Sequence, residues 1–192
     1  MMTVKKSNAR LLRVVFAGVM AAMVYVVTLF RFPLLGSKVH FANAVCLLAG
    51  MLLGPVTGGL SAGLGSALYD AFGGGYDVVN VLITFVSKFA MAWVCGKLIR
   101  LGGEKHRLDR TLLASVAGAL TYVALYMLKT YVYQRFVYAF PLDAVGATLV
   151  SKLIPSLINA GVAVVAAPIF YHALLPALRA GGVLEELELA EK

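Results

Sequence analysis

Long apolar stretches alternate along the chain with short clusters of glycine, proline and charged residues. An apolar run of roughly 20 residues is the length of helix that crosses a ~30 Å hydrocarbon core. The pattern predicts such helices at about Leu11–Phe30, Val56–Phe72, Val78–Ile99, Thr111–Tyr133 and Ala144–Leu174. Arg31-Phe32-Pro33 ends the first of them, because proline has no N–H to donate and disfavours helix in the residue before it. A shorter apolar segment, Phe41–Leu53, stops at Gly54-Pro55 and is expected to be tilted, extended or irregular. Leu34–His40 reads as a short polar loop, Gly73-Gly74-Gly75 as a flexible turn, Arg100–Arg110 as a charged loop and Gln134–Asp143 as a loop around Pro141. Pro155 and Pro168 predict kinks in the last helix, and the acidic stretch Glu185–Lys192 a frayed cytoplasmic end.

Composition narrows the class. Hydrophobic residues make up 61% of the 192 and charged residues 14%, against roughly 45–50% and about 25% in soluble domains. The expectation is an all-α integral membrane protein, one six-helix bundle over residues 1–178 with a cytoplasmic tail at 179–192. The run Val14–Phe30 is longer than a signal-peptide core and further spans follow it, so it reads as a membrane helix. The net charge of +8 does not point to nucleic acid, because basic residues gather at the ends of apolar segments. With six crossings, eleven of the 17 Lys and Arg fall on the side that holds both termini and three on the other. That asymmetry predicts both termini in the cytoplasm.

The three remaining basic residues, Lys88, Lys129 and Lys152, fall inside predicted spans. A lysine at a helix centre costs about 2.5–3.5 kcal/mol on insertion scales, so such residues ask for a reason. Asp70, Asn43, Asn80 and Asn159 add further polar groups, and Tyr69, Tyr76, Tyr126 and Tyr133 fall at similar depth in the outer half of the bundle. One reading is an Asp70–Lys ion pair with an interfacial aromatic belt. The other is an outward-facing polar cavity for a small solute. One aspartate cannot neutralise three lysines, so the surplus favours a solute carrying a carboxylate or phosphate.

Small residues form a second candidate feature. Ala17/Ala21 and Gly18/Ala22 in the first helix, and Gly59/Gly63 and Gly63/Ala67 in the third, are spaced four apart and let another backbone approach closely. They serve packing within the bundle or, in the first helix, docking of a partner protein. The chain lacks HExxH, GxSxG, Walker A and dinucleotide motifs, and no cofactor is expected. Cys46 and Cys95 read as buried apolar thiols. His40, His106 and His172 are too far apart to share a metal. Uptake against a gradient would draw on ion coupling or on a partner.

Phe30-Arg31-Phe32-Pro33 with Val39-His40-Phe41-Ala42-Asn43-Ala44 resembles the first outer loop and second helix of the substrate-binding S components of energy-coupling factor (ECF) transporters. Leu47–Leu60 is similar to that family's junction of helices 2 and 3, Gly63–Asp70 continues the likeness, and Thr84–Phe89 looks like its helix 4. The resemblance implies a multi-pass subunit of a bacterial plasma membrane that captures a vitamin or vitamin precursor from outside. It implies partnership with a transmembrane coupling protein and two cytoplasmic ATPases, docking through an alanine motif that Ala17 and Ala21 match, and a cavity lined by helices 4 to 6 and outer loops. The pattern is closest to members handling pyridoxine-like or pantothenate-like vitamins, without a clear riboflavin, thiamine, biotin or folate signature. A self-sufficient secondary transporter would be expected to show two related halves, which residues 11–100 and 101–178 do not. A small intramembrane enzyme would have only Asp70 with a lysine as its catalytic pair, and a purely structural subunit would leave Lys88 without a purpose.

Overall fold

The computed structural model describes residues 2–30, 32–34, 37–101 and 107–189. Arg31, Lys105, His106 and Lys192 lie outside the described residues. The elements in order are α1 (Met2–Leu29), β1 (Phe32–Leu34), β2 (Ser37–Val39), α2 (Ala42–Leu53), α3 (Pro55–Leu68), α4 (Val78–Leu98), α5 (Leu108–Val132), α6 (Leu142–Ala180) and α7 (Val183–Leu189). Two π-helical turns, Tyr69–Gly73 and Tyr133–Val137, extend α3 and α5 without a break. Among the described residues four helices are long and apolar enough to cross a membrane: Ala9–Leu29, Val78–Leu98, Leu108–Val137 and Leu142–Ala180.

The outer surface of the bundle is apolar. Large apolar side chains such as Leu11, Val14, Phe72, Val86, Leu113 and Ile169 face outward, while Ala62, Ala92, Ala114, Ala163 and Ala167 are buried. Without a hydrophobic drive between helices in lipid, close backbone packing through small residues holds such a bundle together. The third helix follows this rule. Gly59 and Gly63 give the seats on which the Phe89 and Phe85 rings of α4 lie, so their spacing serves packing.

The short apolar segment departs most from expectation. It is a regular helix, α2, and all twelve of its residues are buried. At 1.5 Å per residue it is about 18 Å long, too short to span the hydrocarbon core alone. It is enclosed by protein, so it carries no lipid-facing stripe. Gly54, at φ 86°, turns the chain, a conformation glycine adopts without a Cβ penalty. Pro55 then opens α3 at a first-turn position, where its missing N–H costs nothing.

Other boundaries also shift. The expected polar loop Leu34–His40 contains an antiparallel hairpin pairing Phe32 with Val39 and Leu34 with Ser37. The first helix begins at Met2 and the fifth at Leu108, because polar residues outside the apolar run continue the helix. The last long helix runs from Leu142 to Ala180, passing Pro155, Pro168 and Pro176 without ending. The acidic end is a short helix whose Leu184 and Leu187 are buried, with α7 packed against α1. Its apolar residues anchor it, which charge alone did not reveal.

Candidate functional site

A cavity of about 810 Å³ opens at one end of the bundle. Six helices converge on it by alternate ends: Thr28 from the end of α1, Asn43 from the start of α2, Ser66 late in α3, Asn80 to Lys88 from α4, Tyr126 to Thr130 late in α5, and Ser151 to Asn159 from α6. This alternation is the signature of an up-and-down bundle. All nine residues singled out from the sequence, Asn43, Asp70, Tyr76, Asn80, Lys88, Tyr126, Lys129, Lys152 and Asn159, stand on this one wall.

Local structure explains their positions. Each π turn begins on a tyrosine that lines the cavity, Tyr69 or Tyr133, and the next residue, Asp70 or Gln134, lines it too. The wider π turn is a recurrent device at functional sites. Each then wraps over with the same pair of bonds: Gly74 N–H to Tyr69 O (2.8 Å) and Tyr76 N–H to Asp70 O (3.1 Å), matched by Tyr138 N–H to Tyr133 O (2.9 Å) and Phe140 N–H to Gln134 O (2.9 Å). Tyr76 and Tyr138 are thereby hung at the exposed mouth. Asp77 caps α4, its carboxylate accepting from Asn80 N–H at 3.0 Å and also from the Asn80 amide. These bonds favour the carboxylate and hold the Asp77 pKa below its usual 3.8. On α6, proline at 155 removes the helical donor for the Ser151 carbonyl, and the Asn159 amide donates to Pro155 O at 3.2 Å while its oxygen accepts from His40 N–H at 3.0 Å. Asn159 thus ties the hairpin's exit to α6.

The three lysines sit differently. Lys88 is 4% exposed and Asn43 2%; the Lys88 ammonium donates to Asn43 Oδ1 and lies 3.8 Å from the centroid of the Tyr122 ring. Lys129 is half-buried, 5.8 Å from the Tyr133 ring, within electrostatic reach of Asp70 and Asp77. Lys152 is half-buried, 6.0 Å from the Tyr126 ring. The Asp70–Lys ion pair, one of the two readings of these charges, is not formed: among the described residues the ion pair joins Arg107 to Asp109, far along the chain from the cavity. The charge balance is also smaller than the sequence suggested, because Asp77 adds a second carboxylate at the mouth.

The sequence reading passed over Thr28, Ser66, Ser87, Tyr122 and Ser156, which also line the wall. Tyr122 lies one turn before Tyr126, and their rings stack at 6.1 Å, so i, i+4 spacing from Tyr126 would have found it. The small-residue set of α1 divides in two. Ala21 puts its backbone against Gly65 of α3, where a Cβ would collide with the Ala21 carbonyl, and Ala17 packs against the core. Gly18 has open space and, like Ala22, faces outward. Cys46 and Cys95 are buried free thiols, and His172 meets the Thr111 hydroxyl at 3.2 Å.

The fold is similar to that of a solved S component of a bacterial ECF transporter, at a TM-score of 0.67 and 17% identity, covering 86% of this chain and 96% of that one. No curated protein matches the chain in sequence. The family model for the S component of the ECF-type riboflavin transporter matches residues 8–175, and its description names riboflavin, a vitamin the sequence reading did not single out. These subunits bind substrate for transport and are not enzymes. Nearly the whole bundle lies within the match, and the chain belongs to the S components of ECF-type transporters, multi-pass membrane proteins that work with a separate energising module.

Proposed function

We propose that the cavity captures a small anionic vitamin or vitamin precursor, pantothenate-like or pyridoxine-like in its acidic form. The observation that carries this reading is the set of three lysines facing one cavity with two aspartates, at least one of which is exposed at the mouth. A volume near 810 Å³ falls in the range of small-molecule sites, roughly 300–1,000 Å³. Riboflavin is the second reading, favoured by the family description and by a tyrosine-rich wall suited to a flat ring. Equilibrium binding of pantothenate, pyridoxal 5′-phosphate and riboflavin to the purified chain separates them. We expect an acidic vitamin to bind at least tenfold more tightly than riboflavin; the reverse order overturns the first reading.

The same proposal gives the bundle six membrane segments, with both termini in the cytoplasm and the cavity open to the outside. The alternation of helix ends around the cavity and the packing of α7 on α1 support it, as does the basic-residue asymmetry. Cysteines introduced at Phe140 and at Arg179, probed with a membrane-impermeant maleimide in intact cells, should label at the first and not at the second.

The coupling protein docks on the outward face of α1. Only 11% of the apolar window of this helix is buried, against 39% in α6, and Gly18 and Ala22 lie exposed on that face. Gly18→Leu adds bulk into open space, so its effect on melting should stay within about 0.5 kcal/mol. Co-purification with the coupling protein and its two ATPases should fall severalfold; undiminished co-purification would place the contact elsewhere.

A further inference from the structure

The three cavity lysines are not equivalent, and we infer that Lys88 alone reads the acidic group of the ligand, held in place for that task by Asn43. This rests on the proposed function above, and it assigns the selectivity to one ammonium on the cavity floor.

Lys129 already has the carboxylates of Asp70 and Asp77 within electrostatic reach, so much of its charge is answered by the protein. Lys152 is half-buried beside Tyr126 and close enough to Lys129 to interact with it. Lys88 is different. It is almost wholly removed from solvent, and among the described residues no carboxylate lies within ion-pair distance. An ammonium has three N–H donors. One goes to Asn43 Oδ1 and the charge faces the Tyr122 ring; among the described residues the remaining donors have no acceptor. Burying a charge without a counter-charge is expensive, and a carboxylate or phosphate entering the cavity supplies what the site lacks.

Asn43 is a positioning residue. It stands in the first turn of α2, whose residues are all buried, so its side chain has a rigid base. Its amide oxygen is a neutral acceptor. It orients the ammonium without cancelling the charge, which a carboxylate at the same place would do. The first turn of a helix also carries partial positive charge, so the surroundings add to the demand for an anion.

The test uses pairs of ligands that share a skeleton and differ in the acid: pantothenate and pantothenol, pyridoxal 5′-phosphate and pyridoxine, FMN and riboflavin. Affinities are measured on the purified full chain. For the pair that binds, the wild type should favour the acid member at least tenfold. Asn43→Asp, nearly isosteric, gives Lys88 an internal counter-ion and should cut that preference to threefold or less. Lys88→Met should do the same. Lys129→Met and Lys152→Met should keep the preference. Survival of the preference in Asn43→Asp and Lys88→Met, or its loss in Lys129→Met or Lys152→Met, overturns the inference and leaves the anionic-vitamin reading standing. A wild type that shows no preference for the acid in any pair, or that binds none of them, overturns that reading, and the inference falls with it.

Discussion

At both ends of α2 a cation from α4 or the turn just after it reaches the buried helix, Lys88 at the cavity and Arg100 at the far end, yet the two meetings differ in sign. The Arg100 guanidinium donates to the carbonyls of Gly50 (3.2 Å) and Gly96 (3.0 Å), and Arg13 of α1 donates to Leu53 O at 2.6 Å and Thr57 Oγ1 at 3.1 Å. Those carbonyls belong to the last turns of α2 and α4, where the negative end of the helix dipole welcomes a cation. Lys88 meets the opposite end, where the dipole is positive and one amide oxygen is its only acceptor among the described residues. Cations at the far end complete the structure; the cation at the cavity leaves it incomplete. The lesson is that the same residue class on the same pair of helices serves stability or binding according to which end of a helix it faces.

Removing Arg100 should give the largest effect. Arg100→Met takes the charged donor from the Gly50 and Gly96 carbonyls and leaves Gly50 O only its bond from Gly54 N–H, a loss of about 1–3 kcal/mol, seen as a lowered melting temperature in detergent or nanodiscs with ligand affinity little changed. An unchanged melting temperature would erase the contrast between the two ends. The double variant Lys88→Met with Asn43→Leu should stay within about 1 kcal/mol of the wild type when no ligand is present, because both polar partners are replaced together by apolar groups of similar size. A loss equal to that of Arg100→Met would mean that Lys88 is structural. The smallest effect concerns the mouth. The folded pKa of Asp77 is lowered by the hydrogen bonds from Asn80, so the unfolded chain binds the proton more readily. The contribution of this cap to stability is therefore fully present above about pH 3.8 and is lost as pH falls through the lower folded value. Comparing wild type and Asp77→Asn by melting across pH 2.5–6 should show a small difference that narrows at the acid end; a difference that widens on acidification contradicts the cap.

Much of the cavity was legible in the chain because charge inside an apolar segment is costly and therefore informative. Lys88, Lys129 and Lys152 stand out on that ground, and Asp70, Asn43 and Asn159 stand out against the same background. Tyr122 and the serines and threonines did not, since such residues occur in membrane helices for packing and for bonds to their own backbone, as Ser156 makes to Lys152 O at 2.7 Å. The hairpin at Phe32–Val39 was hidden because three-residue strands are too short to show a period. The shortness of α2 was visible, but its reason was not: a segment that cannot span the bilayer is tolerated where protein surrounds it on every side.

The sequence by itself determined the membrane class, the helices long enough to cross and the polar side chains that require an explanation, because transfer into hydrocarbon penalises each misplaced charge residue by residue. Only the tertiary structure decided which of those charges already have partners. It set Asp70 and Asp77 near Lys129, gave Lys88 a neutral acceptor, and turned Ala17 and Ala21 toward the bundle while Gly18 and Ala22 face out. Pairing depends on distances between residues far apart in the chain, such as Asn43 and Lys88, and no local pattern encodes those distances before the helices pack.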